Sequence, residues 1–171
     1  AGAGGRDPVA AFRAIAGTGA TFLSRGDQSG THLRERQLWD AAGIDPSGTW
    51  YRETGQGMGN TLVAARHLGA YTLTDRGTFL ATAIGDDLIP VVNRGLADPP
   101  GSLRNVYSTI ATNPARHDVR YEIAMAFVGF LTGQGQSAIE DFRVDGHRAF
   151  RAHGRFEEPN FQQYVPSDWR Q

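Results

Sequence analysis

Apolar residues along the chain fall at helical spacing in some stretches and gather into short β-prone runs in others, and the two patterns alternate. Asp7-Pro8 followed by Val9, Phe12 and Ala16 predicts a capped helix with proline in its first turn, closing at Gly17. Ala20 to Leu23 predicts a short buried strand, and Leu33, Leu38, Trp39 and Ala42 a second helix that stops at Gly43. Trp50 and Tyr51 open another extended piece. Gly55-Gln56-Gly57-Met58-Gly59 leads into a helix through Leu62, Ala65 and Arg66 that ends at Gly69. Ala70 to Leu73 predicts a strand, Thr74-Asp75 caps a helix with Phe79 and Leu80 on its inner face, and Leu88 to Val92 predicts a further strand. Val106 to Ala111 carries the strongest strand pattern. After Asn113-Pro114, Val119, Ile123, Phe127, Phe130 and Leu131 mark an amphipathic helix, and a shorter helix is expected near Ser137 to Val144. The last twenty residues are polar and aromatic without a period and predict a surface arm. Strands alternating with helices at short intervals imply an α/β fold, a mixed sheet with helices on both faces.

Composition narrows the function classes. The chain has 171 residues and a formal net charge of -1, so no overall field draws it to nucleic acid or an anionic membrane. All 17 basic residues are arginine, a bias that a GC-rich genome explains and that also suits oxyanions, because the guanidinium is a planar fork of donors. There is no cysteine, which excludes disulfides, thiolate metal sites and cysteine nucleophiles. No apolar run has the length of a membrane span, and no signal peptide is visible. Ala1-Gly2-Ala3-Gly4-Gly5 reads as a flexible linker or an expression scar.

The segment richest in chemistry is Arg25-x-Asp27-x-Ser29-Gly30-Thr31, after a strand and at the start of a helix. Ser29 and Thr31 offer hydroxyls. Gly30 allows a close backbone approach, and its N–H and that of Thr31 point out of a helix N-terminus, where unpaired donors and a positive partial charge favour an anion. Arg25 adds a cation that can hold two oxygens of one tetrahedral ion, and Asp27 is placed to hold Arg25. Helix capping accounts for Asp27 or Ser29 singly, with Arg25 solvated on a turn. It does not account for arginine, glycine and two hydroxyls at one helix start.

This loop is similar to the oxyanion loop of phosphate-binding periplasmic proteins. The run Thr21 to His32, together with Trp50-Tyr51-x-Glu53-Thr54-Gly55-Gln56-Gly57-Met58-Gly59, Gly69 to Thr78, and Tyr107-Ser108 before Asn113-Pro114, resembles tungstate-binding components of ABC transporters more closely. The resemblance runs in order over most of residues 8 to 145. It implies a type II periplasmic-binding-protein fold, in which two lobes close on the anion, and an uptake role outside the cytoplasm with a membrane permease as partner. It implies Arg25 as the chief ligand, then Ser29, Gly30 and Thr31, with Asp27 alongside. Tungstate, or molybdate, is the implied ligand, no cofactor is required, and no turnover is expected. Residues 6–104 correspond to the second lobe, 105–150 to a returning segment of the first, 1–5 to the linker and 151–171 to the arm. The family's first lobe also supplies a Thr/Ser-rich loop to the anion, so a second copy of the chain or an N-terminal segment is expected to complete the site.

Other readings carry less. An oxyanion-sensing domain is the alternative, but its DNA-binding module would lie outside this chain, which shows neither a helix-turn-helix nor a basic patch. An esterase finds no GxSxG elbow around Ser24 or Ser29. His32, His67, His117, His147 and His153 form no metal-binding pattern, and His32 is expected to face solvent. Gly55 to Gly59 reads as a tight turn into a helix rather than a second anion nest. Thr74-Asp75-Arg76 reads as a cap with a charge pair, and Tyr71 as a core residue.

Overall fold

A computed structural model of the chain describes residues 7–82, 87–92 and 103–154. The chain divides into two compact units, Ala1–Val106 and Tyr107–Gln171. The linker at residues 1–5, most of the arm, and the turn at residues 97–101 lie outside the described residues.

In the first unit, α1 (Pro8–Thr18) starts at Asp7, whose carboxylate accepts the Val9 N–H, and ends at Gly19 in the left-handed region. The strand β1 (Phe22–Ser24) follows, then α2 (Gly30–Ala42), β2 (Tyr51–Glu53), α3 (Met58–Leu68), β3 (Tyr71–Thr72) and α4 (Arg76–Ala81). The three strands make one parallel sheet in the order β2-β1-β3, with Phe22 opposite both Tyr51 and Tyr71. Parallel neighbours need helical crossovers, and α2 and α3 supply them.

The central strand β1 is buried along its whole length, so its alternating side chains serve two layers. Phe22 packs with Phe12 and Ile15 of α1 and with Leu38, Trp39 and Ala42 of α2. Leu23 points the other way, onto Ala65 of α3 and Ala70. The first face is aromatic: Phe12 to Trp39, Phe22 to Trp39 and Trp39 to Trp50 have ring centroids 4.3, 5.2 and 5.5 Å apart. Helices therefore cover both faces of the sheet, as the alternation of patterns implied.

The second unit holds α5 (Tyr121–Thr132), α6 (Gly135–Asp141) and an antiparallel pair, β4 (Arg143–Val144) and β5 (His147–Arg148). No residue of α5 is buried, and Ile123, Phe127 and Phe130 of its apolar stripe are exposed. None of the described helices is long and apolar enough to cross a membrane.

Three sequence expectations need correction. Val106 to Ala111 forms no strand: Val106, Tyr107 and Ile110 are exposed. β-propensity measures fit to a half-buried pleated surface, and no described strand pairs with this run. Leu88 to Val92 is likewise not a strand but a short irregular segment, with Leu88 packed under Met58 and Leu62. Gly17 does not close α1, which runs on to Thr18 and stops at Gly19 in the left-handed region; Leu33 lies on α2 as expected and is exposed, beside the buried stripe of Glu35, Leu38, Trp39 and Ala42.

Candidate functional site

Parallel strands end at the same edge of a sheet, and in open α/β sheets the crevice outside their carboxyl ends is where ligands bind. Here β1 runs into Arg25 to Ser29 and then α2, while β2 runs into Thr54 to Gly57 and then α3. Two adjacent strand ends thus deliver two helix N-termini to one edge. They are tied together: the Thr54 N–H donates to the Ser24 carbonyl at 2.9 Å, and the Thr54 hydroxyl lies 3.2 Å from the same oxygen and 2.9 Å from the Thr61 hydroxyl.

The loop after β1 is narrow. Gly26 has a φ of +63°, and a Cβ there would sit 2.8 Å from Cβ of Glu53, so only glycine satisfies both the left-handed turn and the approach to β2. Gln28 is also left-handed, at φ 59°, and its N–H donates to Nδ1 of His32 at 3.0 Å. Asp27 is the loop's organiser. One carboxylate oxygen pairs with the Arg25 guanidinium and the other accepts the Ser29 N–H at 3.1 Å. Ser29, first through its side chain and also through its N–H, and then Arg25 hold the Asp27 carboxyl down at about 2, against the cost of desolvation.

Ser29 is the N-cap of α2, and its hydroxyl oxygen accepts the His32 N–H at 3.3 Å. That leaves Gly30 and Thr31 as the first two helical residues, whose N–H groups have no intrahelical acceptor. Arg25, Asp27, Ser29, Gly30 and Thr31 are therefore gathered on one turn at the mouth of a thirteen-residue helix. Nε of Arg25 and Nε2 of His32 are buried without a hydrogen-bond partner among the described residues. The solvent-facing role expected for His32 is corrected: Nδ1 is committed to Gln28, which leaves the proton of a neutral ring on the buried Nε2.

The other candidates are simpler. Gly57 caps α3 without a side-chain bond. Asp75 caps α4, accepting the Thr78 N–H at 2.8 Å and its hydroxyl at 2.7 Å. Tyr71 packs against the aromatic core.

Sequence reasoning missed what lies beneath the loop. Glu35 is 2% exposed and accepts from the Tyr51 hydroxyl at 2.9 Å and the Trp39 indole at 3.3 Å. Burial pushes its carboxyl above the ordinary glutamate value, against the bonds from Tyr51, Ser24 and Trp39. The signal was present, because Glu35 stands in register with Leu38, Trp39 and Ala42, a charged residue in an apolar stripe.

Comparison with known proteins places these features in a family. A model of the PBP superfamily domain matches residues 1–134. A Haloferax volcanii protein described as an ABC transporter anion-binding protein is 50% identical over 99% of this chain and 50% of its own length. The tungstate-binding protein TupA of Peptoclostridium acidaminophilum is 37% identical over 84% of the chain and 49% of its own length. Among solved structures, the tungstate-binding protein TupA from Desulfovibrio alaskensis G20 is similar with a TM-score of 0.74 and 35% identity, over 90% of this chain and 63% of that one. The chain spans about half the length of the curated relatives it matches.

Proposed function

The chain belongs to the PBP superfamily, a family of solute-binding proteins rather than enzymes, and from that premise we propose that it binds a tetrahedral oxyanion, tungstate or molybdate, for an ABC uptake transporter. The ligands are Arg25, the N–H groups of Gly30 and Thr31 and the Thr31 hydroxyl, with the Ser29 hydroxyl beside them once it turns from Asp27 to the anion. Asp27 steadies Arg25 instead of touching the anion. The working protein acts outside the cytoplasm and hands its anion to a membrane permease. The similarity to two tungstate-binding proteins supports this reading, and no observation favours the sensor alternative.

The observation that carries the choice of ligand is the occupation of Asp27. Protonated phosphate brings an O–H that needs an acceptor, whereas tungstate at neutral pH carries no proton and needs donors only. Each oxygen of Asp27 already accepts a bond from the loop itself, from Arg25 and from the Ser29 N–H, so the loop's carboxylate is turned to its own donors and what the loop presents to a ligand is mainly donors. A dianion without a proton fits it better.

Hydrogen bonds to a charged group contribute about 1.5–3 kcal/mol each, and association costs roughly 4–15 kcal/mol. Four donors therefore give weak binding, and donors from elsewhere are needed for micromolar affinity. We assign residues 6–104 to the second lobe and 105–150 to a returning segment of the first, with 1–5 as linker and 151–171 as arm. The rest of the first lobe, whether from an N-terminal segment or a second copy, then covers α5 and pairs with the run from Val106 to Ala111. Calorimetric competition tests the ligand. Tungstate and molybdate are expected to displace one another, with phosphate at least about tenfold weaker. Equal displacement by phosphate would refute the donor-only site.

A further inference from the structure

The loop between β1 and α2 is braced by a side chain that anion binding leaves unused. Ser29 caps α2, so His32 is the third residue of that helix. Its backbone N–H donates to the Ser29 hydroxyl oxygen at 3.3 Å, and its ring reaches back past the cap, where Nδ1 accepts the Gln28 N–H at 3.0 Å. Gln28 stands at a φ of 59°, one of two described residues other than glycine in the left-handed region. That conformation is unfavourable for a residue with a Cβ and persists only where the surroundings hold it.

The arrangement is a capping box displaced by one residue. In the ordinary box the third helical side chain accepts the N–H of the N-cap residue itself. Here the Ser29 N–H already goes to Asp27 at 3.1 Å, and the acceptor at position 32 takes the preceding N–H instead. A glutamate, common at the third position, would also accept, but it would set a negative charge beside Gly30 and Thr31. Neutral imidazole accepts through one nitrogen without that charge. The ring is not a free choice, because it buries Nε2 and its proton with no partner among the described residues, and a buried donor left unsatisfied is destabilising. An apolar side chain would fill the same space without that penalty, so packing alone does not account for a histidine.

Resting on the reading of residues 25–31 as an anion loop, we propose that His32 is a positioning residue for that loop. Its Nδ1 holds Gln28 in the left-handed conformation and keeps the Gln28 N–H turned inward. The chain then enters Ser29 in the direction that lets Asp27 take the Ser29 N–H and leaves the N–H groups of Gly30 and Thr31 at the mouth of α2. His32 touches no anion itself.

The first part of the test needs no ligand. In the free, isotopically labelled 171-residue chain at mildly alkaline pH, a nitrogen–nitrogen coupling should cross the hydrogen bond from the Gln28 amide to Nδ1 of His32. The Gln28 amide should exchange with water at least about tenfold faster in His32→Leu than in the natural protein. His32→Asn, whose side-chain oxygen falls where Nδ1 stood, should restore most of that protection. An absent coupling would overturn the proposal even if neither variant folded, and so would exchange at Gln28 that His32→Leu leaves unchanged.

The second part is a double-mutant cycle on tungstate affinity. His32→Leu should weaken binding by about tenfold in the natural chain and by less than about threefold in Gln28→Gly, because glycine keeps the left-handed turn without a brace. A side chain that only filled space would cost the same in both backgrounds, so equal losses would overturn the proposal. If the natural chain binds no tungstate, the anion reading fails, while the coupling and the exchange still decide whether His32 holds the turn.

Discussion

Asp27 and Glu35 are both carboxylates close to the start of α2, and their surroundings push them in opposite directions. Asp27 is held at about 2, below its ordinary value of 3.8, so its contribution to stability is complete above pH 3.8 and is lost as pH falls through about 2. Glu35 is raised by burial, so its contribution is complete below pH 4.5 and is lost as pH rises through its folded value. Thermal melts across pH check both signs. Asp27→Asn should cost stability near pH 7 and little near pH 2, while the deficit of Glu35→Gln relative to the natural protein should shrink as pH rises above 4.5. A deficit of Glu35→Gln that grew with pH would contradict the burial argument. The gathering of Arg25, Asp27, Ser29, Gly30 and Thr31 on one turn at the start of α2 was legible in the sequence, because it depends on residue type and spacing within a few positions. The burial of Glu35 beneath it was harder to read, because its Tyr51 partner comes from β2, which the sheet brings beside α2.

At the scale of elements, short strands and capped helices settle where the loop sits. The stops at Gly43 and Gly69, the Asp7 and Asp75 caps and the stripe of Leu38, Trp39 and Ala42 could be read in advance, since each depends on neighbours within one helix. The runs at Leu88 to Val92 and Val106 to Ala111 could not, because a strand exists only where another edge pairs with it. Two substitutions test the packing. Trp39, fully buried against Phe12, Phe22 and Trp50, should cost about 3–5 kcal/mol when truncated to alanine. Gly26→Ala should cost more than about 1 kcal/mol, because its φ is positive and Glu53 stands where the Cβ would go. Denaturant unfolding measures both, and a neutral Gly26→Ala would mean that the turn is not constrained as described.

On the scale of the whole molecule, the two units differ in how they treat apolar surface. The first encloses an aromatic core, whereas α5 in the second leaves Ile123, Phe127 and Phe130 exposed at 61%, 57% and 49%. Exposed apolar surface of this kind marks an interaction site, and relatives about twice as long as this chain supply a reason for one. The 171-residue chain should bind a hydrophobic reporter dye, and Ile123→Glu with Phe127→Glu should remove most of that signal while changing stability by less than about 0.5 kcal/mol. Undiminished dye binding would place the reactive surface elsewhere.

The central claim is that the turn from Arg25 to Thr31 holds a tetrahedral oxyanion, and it is tested most directly by titrating tungstate into the isotopically labelled chain at neutral to mildly alkaline pH. The amide signals of Ser29, Gly30 and Thr31 and the Arg25 Nε–H should shift together and saturate, even at millimolar affinity, and Arg25→Ala should abolish the shifts. Signals in this turn that stay still at millimolar tungstate, or that shift equally in Arg25→Ala, would contradict the account.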